Sequence, residues 1–209
     1  MLSLNFSGGT LMRTRLVFAA GGAAIVLAAA GCGSSSSSGA GQAKPVNPNA
    51  KESLPPGDIP DNQAYVAYAL PGAHVSVKVP EGWARSASGH AVTFTDKLNS
   101  VRMEVAPAAA PLTAATAKST GVARLRASVH GLQGAKVDTV VRPAGRVVRI
   151  RYLADSAPDP VTGKVATDAV QRYYFFRNGR QLVLTLTGAK AADNVDPWKI
   201  VTKSVRWTA

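Results

Sequence analysis

Cysteine is nearly absent: Cys32 is the only one in 209 residues, so no disulfide can close within the chain and stability must come from a packed core. Carboxylates are scarce too. Twelve Asp and Glu stand against twenty-four Lys and Arg, a net charge of +12, which leaves little for general acid and base work. The three histidines, His74, His90 and His130, are scattered, with no second ligand at metal spacing. No glycine-rich phosphate loop ends in Lys-Ser or Lys-Thr, and Gly179-Arg180 belongs to a hairpin and not to a helix start. There is no Gly-x-Ser-x-Gly elbow, and Ser86, Ser88 and Ser100 read as turn serines. Glu81, Asp96 and Glu104 are the nearest approach to a carboxylate cluster, and turn and solvent roles account for them. No catalytic set, metal or cofactor is expected, and the chain reads as a protein that is not an enzyme.

A long apolar run is missing as well. The uncharged stretch Leu16 to Ala30 falls short of the roughly 20 residues a membrane-spanning helix needs, and much of it is alanine and glycine. Behind the basic Met12-Arg13-Thr14-Arg15 it has the form of a signal sequence, with Met12 an alternative start. Ala29-Ala30-Gly31-Cys32 resembles the lipobox of bacterial lipoproteins. That resemblance implies cleavage after Gly31, a diacylglyceryl thioether on Cys32 and a palmitate-type acyl chain on the new amino terminus. Two long chains, at about 0.8 kcal/mol per buried methylene, hold a protein on a bilayer where one gives only marginal binding. The implied address is the outer face of a bacterial plasma membrane; the alternative is an ordinary secretory signal that releases a soluble protein. Removing residues 1–31 takes away only Arg13 and Arg15, so the mature chain keeps a charge of about +10. Residues 32–62 carry the serine run Ser34 to Ser38 and then Pro45, Pro48, Pro55, Pro56 and Pro60. Such a composition buries too little to offset its ordering entropy, and a disordered tether with a reach of roughly 30 Å is expected.

Residues 63–209 are a normal size for one domain. His74 to Val79 alternates strictly and ends in the turn Pro80-Glu81-Gly82-Trp83. Val92 and Phe94, then Val101, Met103 and Val105, predict a hairpin around Asp96 to Ser100. A helix is predicted from Pro111-Leu112-Thr113 to Gly131, with Ala115, Val122, Leu125, Val129 and Leu132 on its apolar side and Gly121 weakening it by about 1 kcal/mol. Strands follow at Lys136 to Val141, Arg146 to Leu153, Ala169 to Phe176 and Gln181 to Thr187, with Asn178-Gly179 as a tight turn and Asp155 to Thr167 as a long loop. Asp193 to Val205 predicts a closing helix capped by Asp196, with Pro197 in its first turn. The fold class is α+β: an antiparallel sheet of about six or seven strands with helices packed on it.

The break at Val79-Pro80-Glu81-Gly82-Trp83, the hairpin, the helix, the meander and a last helix ending Lys203-Ser204-Val205-Arg206-Trp207 resemble the PsbP-like α/β sandwich of the actinobacterial LpqN/LpqT lipoproteins. This resemblance implies a non-enzymatic accessory or partner-binding module. The residues themselves offer a basic surface: Arg142, Arg146, Arg149, Arg151, Arg172, Arg177 and Arg180 crowd the late strands, and Arg149 and Arg151 share a strand face. A solvated sheet surface explains them, and so does recognition of an envelope glycolipid, an anionic polymer or an acidic partner protein. Nucleic acid is not expected at an extracytoplasmic address. Of Tyr173 to Phe176, one pair enters the core; the other, Tyr174 and Phe176, either packs under a helix or lines an apolar groove beside Arg172 and Arg177 that suits an amphiphile with an acidic head. The expectation is a monomeric envelope lipoprotein that binds such a component; the alternatives are a soluble-phase lipid or small-ligand carrier and an unrecognised envelope hydrolase.

Overall fold

The structure is a computed structural model that describes residues 55–208; the signal peptide, Cys32 and most of the expected tether lie outside the described residues. Alternation along the strands sorts large apolar side chains to one face and polar ones to the other, and two antiparallel sheets result. The large sheet contains β3 (Ala84–Ser88), β4 (Ala91–Asp96), β5 (Asn99–Pro107), β6 (Gln133–Arg142), β7 (Gly145–Asp155), β8 (Thr167–Arg177) and β9 (Arg180–Ala189), in the order β3-β4-β5-β9-β8-β7-β6. The small sheet contains β1 (Tyr65–Leu70), β2 (Val75–Pro80) and β10 (Arg206–Trp207), in the order β1-β2-β10.

The large sheet's inner face carries Val101, Met103, Tyr173, Phe175, Leu182, Leu184 and Leu186, which form one core with Val75, Val77 and Val79 of β2 and with Trp198, Val201 and Val205. Trp198 and Val201 belong to α3 (Val195–Lys203). The outer face is covered over β7 and β8 by a helical stretch made of α1 (Ala114–Thr116), a π-helical turn (Ala117–Gly121) and α2 (Val122–Ser128). Ala117, Val122 and Leu125 of that stretch pack on Val148, Ile150, Tyr152 and Val170. Thr113 caps it, its hydroxyl accepting from the Thr116 amide at 3.1 Å.

The antiparallel α+β architecture expected from the sequence is therefore present, with three strands more than the sequence suggested. β1 and β3 were not anticipated, because β3 is exposed throughout and half of β1 is; β10 is only two residues long. The Asn178-Gly179 turn has both residues at positive φ, 48° and 74°, and joins Arg177 directly across to Arg180. Two details are corrected. Asp196 does not cap α3: it sits inside the first turn and accepts from Lys199 at 2.8 Å, while Asn194 holds the cap position. Packed structure also begins ahead of residue 63, with Ile59 buried in the core. Its amide donates to Asn194 Oδ1 at 2.9 Å, and Asn194 Nδ2 donates to Gly57 O and to Asn99 Oδ1, both at 3.0 Å. This buried asparagine pair fastens the segment to the β4–β5 turn and α3. No helix among the described residues is long and apolar enough to cross a membrane.

Candidate functional site

The alternation of β8 divides the residues that the sequence singled out. Arg149 pairs across with Tyr173 and Arg151 with Gln171, so these lie on the inner face, whereas Arg172 pairs with Ile150 and Tyr174 with Val148 on the outer face. The arginines of the late strands therefore do not form one positive face. Arg149 is engaged by Asp138, Nε to Oδ1 at 2.8 Å and Nη2 to Oδ2 at 2.6 Å, and Arg151 reaches the same carboxylate at 3.2 Å. The Arg149 fork holds the Asp138 carboxyl below the usual carboxylate range, and Asp138 in turn raises Arg149. Arg142 and Arg149 lie over the buried Tyr173 ring at 5.4 and 5.9 Å, and the Tyr173 hydroxyl donates to Gln171 Oε1 at 2.6 Å. This cluster ties the end of the large sheet to α3, since Arg142 Nε also donates to Thr202 Oγ1 at 2.9 Å.

On the outer face Tyr174 packs against the helix-covered cluster, with Arg172 over its ring at 5.8 Å. Burial pushes the Tyr152 and Tyr174 phenols up, and Arg172 beside them works the other way. Arg172 Nε and Thr185 Oγ1, on directly paired residues, are both buried without a hydrogen-bond partner among the described residues. Phe176 is half-buried on this face and Arg177 is exposed. The groove expected beside them is not among the hollows described below. The long loop between β7 and β8 closes on itself: Asp159 Oδ1 accepts from Val161 N, Thr162 N and Thr162 Oγ1 at 3.1, 2.7 and 2.9 Å. It borders a hollow of about 520 Å³ with Lys97, Leu98 and Asn99.

A larger cleft opens between the two sheets, with a volume of about 660 Å³. The turns after β1, β3 and β8 gather at this end of the large sheet, and the exposed edge strand β3 leaves the cleft unroofed. Tyr68 and Leu70 line it from the small sheet, Ala73 from the β1–β2 turn, and Ala87, Val92 and Val105 from the large sheet. Its cationic members are Arg85 and Arg180, with His90 beside them, and no carboxylate lines it. Arg85 lies over the Tyr68 ring at 5.8 Å, and Tyr68 meets Phe94 edge to face at 5.0 Å. Arg180 Nη1 donates to the Gly72 carbonyl at 2.9 Å, linking the β8–β9 hairpin to the β1–β2 turn.

An apolar floor under an arginine rim is thus present, at residues other than those read from the sequence. The missing signal was tertiary: Tyr68 and Arg85 lie on strands that the pattern did not reveal. Glu104 and Asp96 stand at opposite ends of the β4–β5 pair, and Glu104 is taken by Arg102 at 2.7 Å. His74, His90 and His130 are all exposed, and no group of three metal-ligating side chains occurs among the described residues.

No family model and no curated protein matches the chain. Among solved structures, a protein from Bacteroides thetaiotaomicron VPI-5482 is similar over 68% of this chain and 48% of its own, with a TM-score of 0.44 and 12% identity. This chain thus spans about half the length of that protein. A Pseudomonas aeruginosa protein of unknown function, PA94, is similar over 65% of this chain and 91% of its own, with a TM-score of 0.40 and 16% identity. Likenesses of that size carry no functional reading, and the site is read from its own chemistry.

Proposed function

We propose that this chain is a non-catalytic binding module of the bacterial cell envelope, held on the outer face of the plasma membrane by a lipid on Cys32. It acts by taking an anionic or amphiphilic envelope component into the cleft between its sheets. One observation carries this reading: a hollow with an apolar floor, two arginines and a histidine at its rim and no carboxylate among its lining residues. A carboxylate there would pair the arginines internally, as Asp138 does for Arg149. Without one, Arg85, which lies on the Tyr68 ring, keeps its in-plane donors for an incoming anion, while Arg180 gives one donor to Gly72 O. The lipobox resemblance supports the address, and the scattered histidines and engaged Glu104 support the absence of catalysis.

Native mass spectrometry of the untagged protein, extracted gently from its own membrane, tests the reading. The expected result is a lipid adduct on the peptide that begins at Cys32, together with a noncovalent amphiphile that is lost on Arg85→Gln. An unmodified Cys32 would sink the anchoring, and a folded body that carries nothing in either form would sink the binding.

A further inference from the structure

The second hollow, at the far end of the large sheet from the cleft, has a different chemistry. We infer that it binds a neutral sugar, whose hydroxyl groups meet a row of side-chain hydroxyls and the Asp168 carboxylate; nothing in this rests on the cleft. The floor is polar because of strand register. Thr95 pairs with Ser100 across β4 and β5, and Ser100 pairs with Thr187 across β5 and β9. Their side chains therefore stand in one row on the outer face, about 4.8 Å from strand to strand. Asp168 lies on β8 two residues from Val170, the partner of Thr187, and lines the same hollow.

None of these four side chains has a hydrogen-bond or ion-pair partner among the described residues. Burial pushes the half-buried Asp168 carboxyl up, and no cation beside it works the other way. An incoming hydroxyl donates to that carboxylate and supplies a charge-assisted bond that the protein itself does not. Lys97 and Lys164 line the hollow against Asp159 and Asp168, so the lining is neutral overall in a chain of +12. That balance disfavours a ligand with net charge, and side-chain hydroxyls that both give and accept match the hydroxyls of a sugar. Pro158, Pro160 and the exposed Leu98 offer an apolar wall for the C–H face of a ring. Ser156 latches the base of that loop, its Oγ accepting from Ala166 N at 3.0 Å and its amide donating to Ala166 O at 2.9 Å. A wall ordered beforehand spares the ligand the cost of ordering it.

The test is protein-detected NMR of the isotope-labelled full chain, kept in a detergent without a sugar head group. The probes are glucose, galactose, mannose and N-acetylglucosamine, with alanine as a zwitterion and inorganic phosphate as an anion. Saturable shifts at the amides of Ser100, Asp168 and Thr187 are expected with at least one sugar. The affinity should be on the order of millimolar, as about a dozen non-hydrogen atoms at ordinary ligand efficiency give. Asp168→Asn, which keeps the shape and removes the charge, should weaken that sugar by about tenfold, and Thr187→Val by about threefold. Shifts at these amides with alanine or phosphate and none with a sugar would overturn the class of ligand. No shift there with any probe, or sugar binding that both variants leave undiminished, would overturn the site and leave the cleft reading untouched.

Discussion

The inner and outer faces of the large sheet share every strand and are closed by different means. Along β9, Leu182, Leu184 and Leu186 enter the core shared with the second sheet, while the alternate Thr185 and Thr187 belong to the other face. The helical stretch covers that outer face over β7 and β8. Beyond it lie Ser86, Thr93, Ser100 and the Arg102–Glu104 pair on β3, β4 and β5. One face is a sheet-on-sheet core with an opening at one end; the other is a half-roofed platform. Period-two patterning fixes which residues share a face, and what covers that face is decided by elements distant in sequence.

The largest expected effect tests the inner core. Phe175 is fully buried there, and Phe175→Ala should cost about 3–5 kcal/mol. Leu125→Ala under the short helix should cost nearer 2 kcal/mol, because the helix can settle into the space. Denaturant midpoints at unchanged slope measure both, and equal losses would mean that the two faces are equally rigid. Next comes Asn194→Ala, which strips the Ile59 amide and Asn99 Oδ1 of their partner. A loss of about 2 kcal/mol is expected, with faster hydrogen exchange at Ile59. An unchanged exchange rate would show that the segment from residue 55 is held by apolar packing alone.

Asp138→Asn should cost about 1 kcal/mol, the value being discounted because the carboxylate is a third exposed. Its acid dependence has a fixed sign. The native carboxyl titrates below its ordinary value, chiefly through the Arg149 hydrogen bonds. Its contribution is therefore complete above the unfolded value of about 3.9 and is lost as the pH falls through the native one. The stability gap between wild type and Asp138→Asn should close on acidification; a constant gap would assign the loss to packing.

Strands with one buried face were legible in the sequence, as β2, β4, β5, β7, β8 and β9 show. β3, with all five residues exposed, carries no hydrophobic period to read. The cleft was illegible for the same reason: Arg85 is on β3, and Tyr68 is on β1, half of whose residues are exposed. The arginine crowd was visible, but its partition between faces depends on the β7–β8 register, and the engagement of Arg149 depends on Asp138 arriving from β6. The asparagine pair escaped because Asn99 and Asn194 are 95 positions apart, one in a predicted turn and the other at the start of a predicted helix.

The helical stretch gives the smallest and most discriminating change. Its expected apolar positions assumed an unbroken 3.6-residue period, which put Ala115 on the buried side; Ala115 is exposed and Ala117 is buried. The cause is the π turn, where the Val122 amide reaches back to Ala117 O and one extra residue shifts the phase. Gly121 in that turn has ordinary right-handed backbone, φ −62° and ψ −48°, and a methyl placed on it would stand 3.5 Å from Ile150 Cδ1, an ordinary contact. Gly121→Ala should therefore stabilise by about 0.5–1 kcal/mol, through a less free unfolded chain and better helix propensity. Destabilisation would mean that the stretch needs to sit closer to the sheet than its present contact with Ile150. That would make the outer face as tightly specified as the inner one.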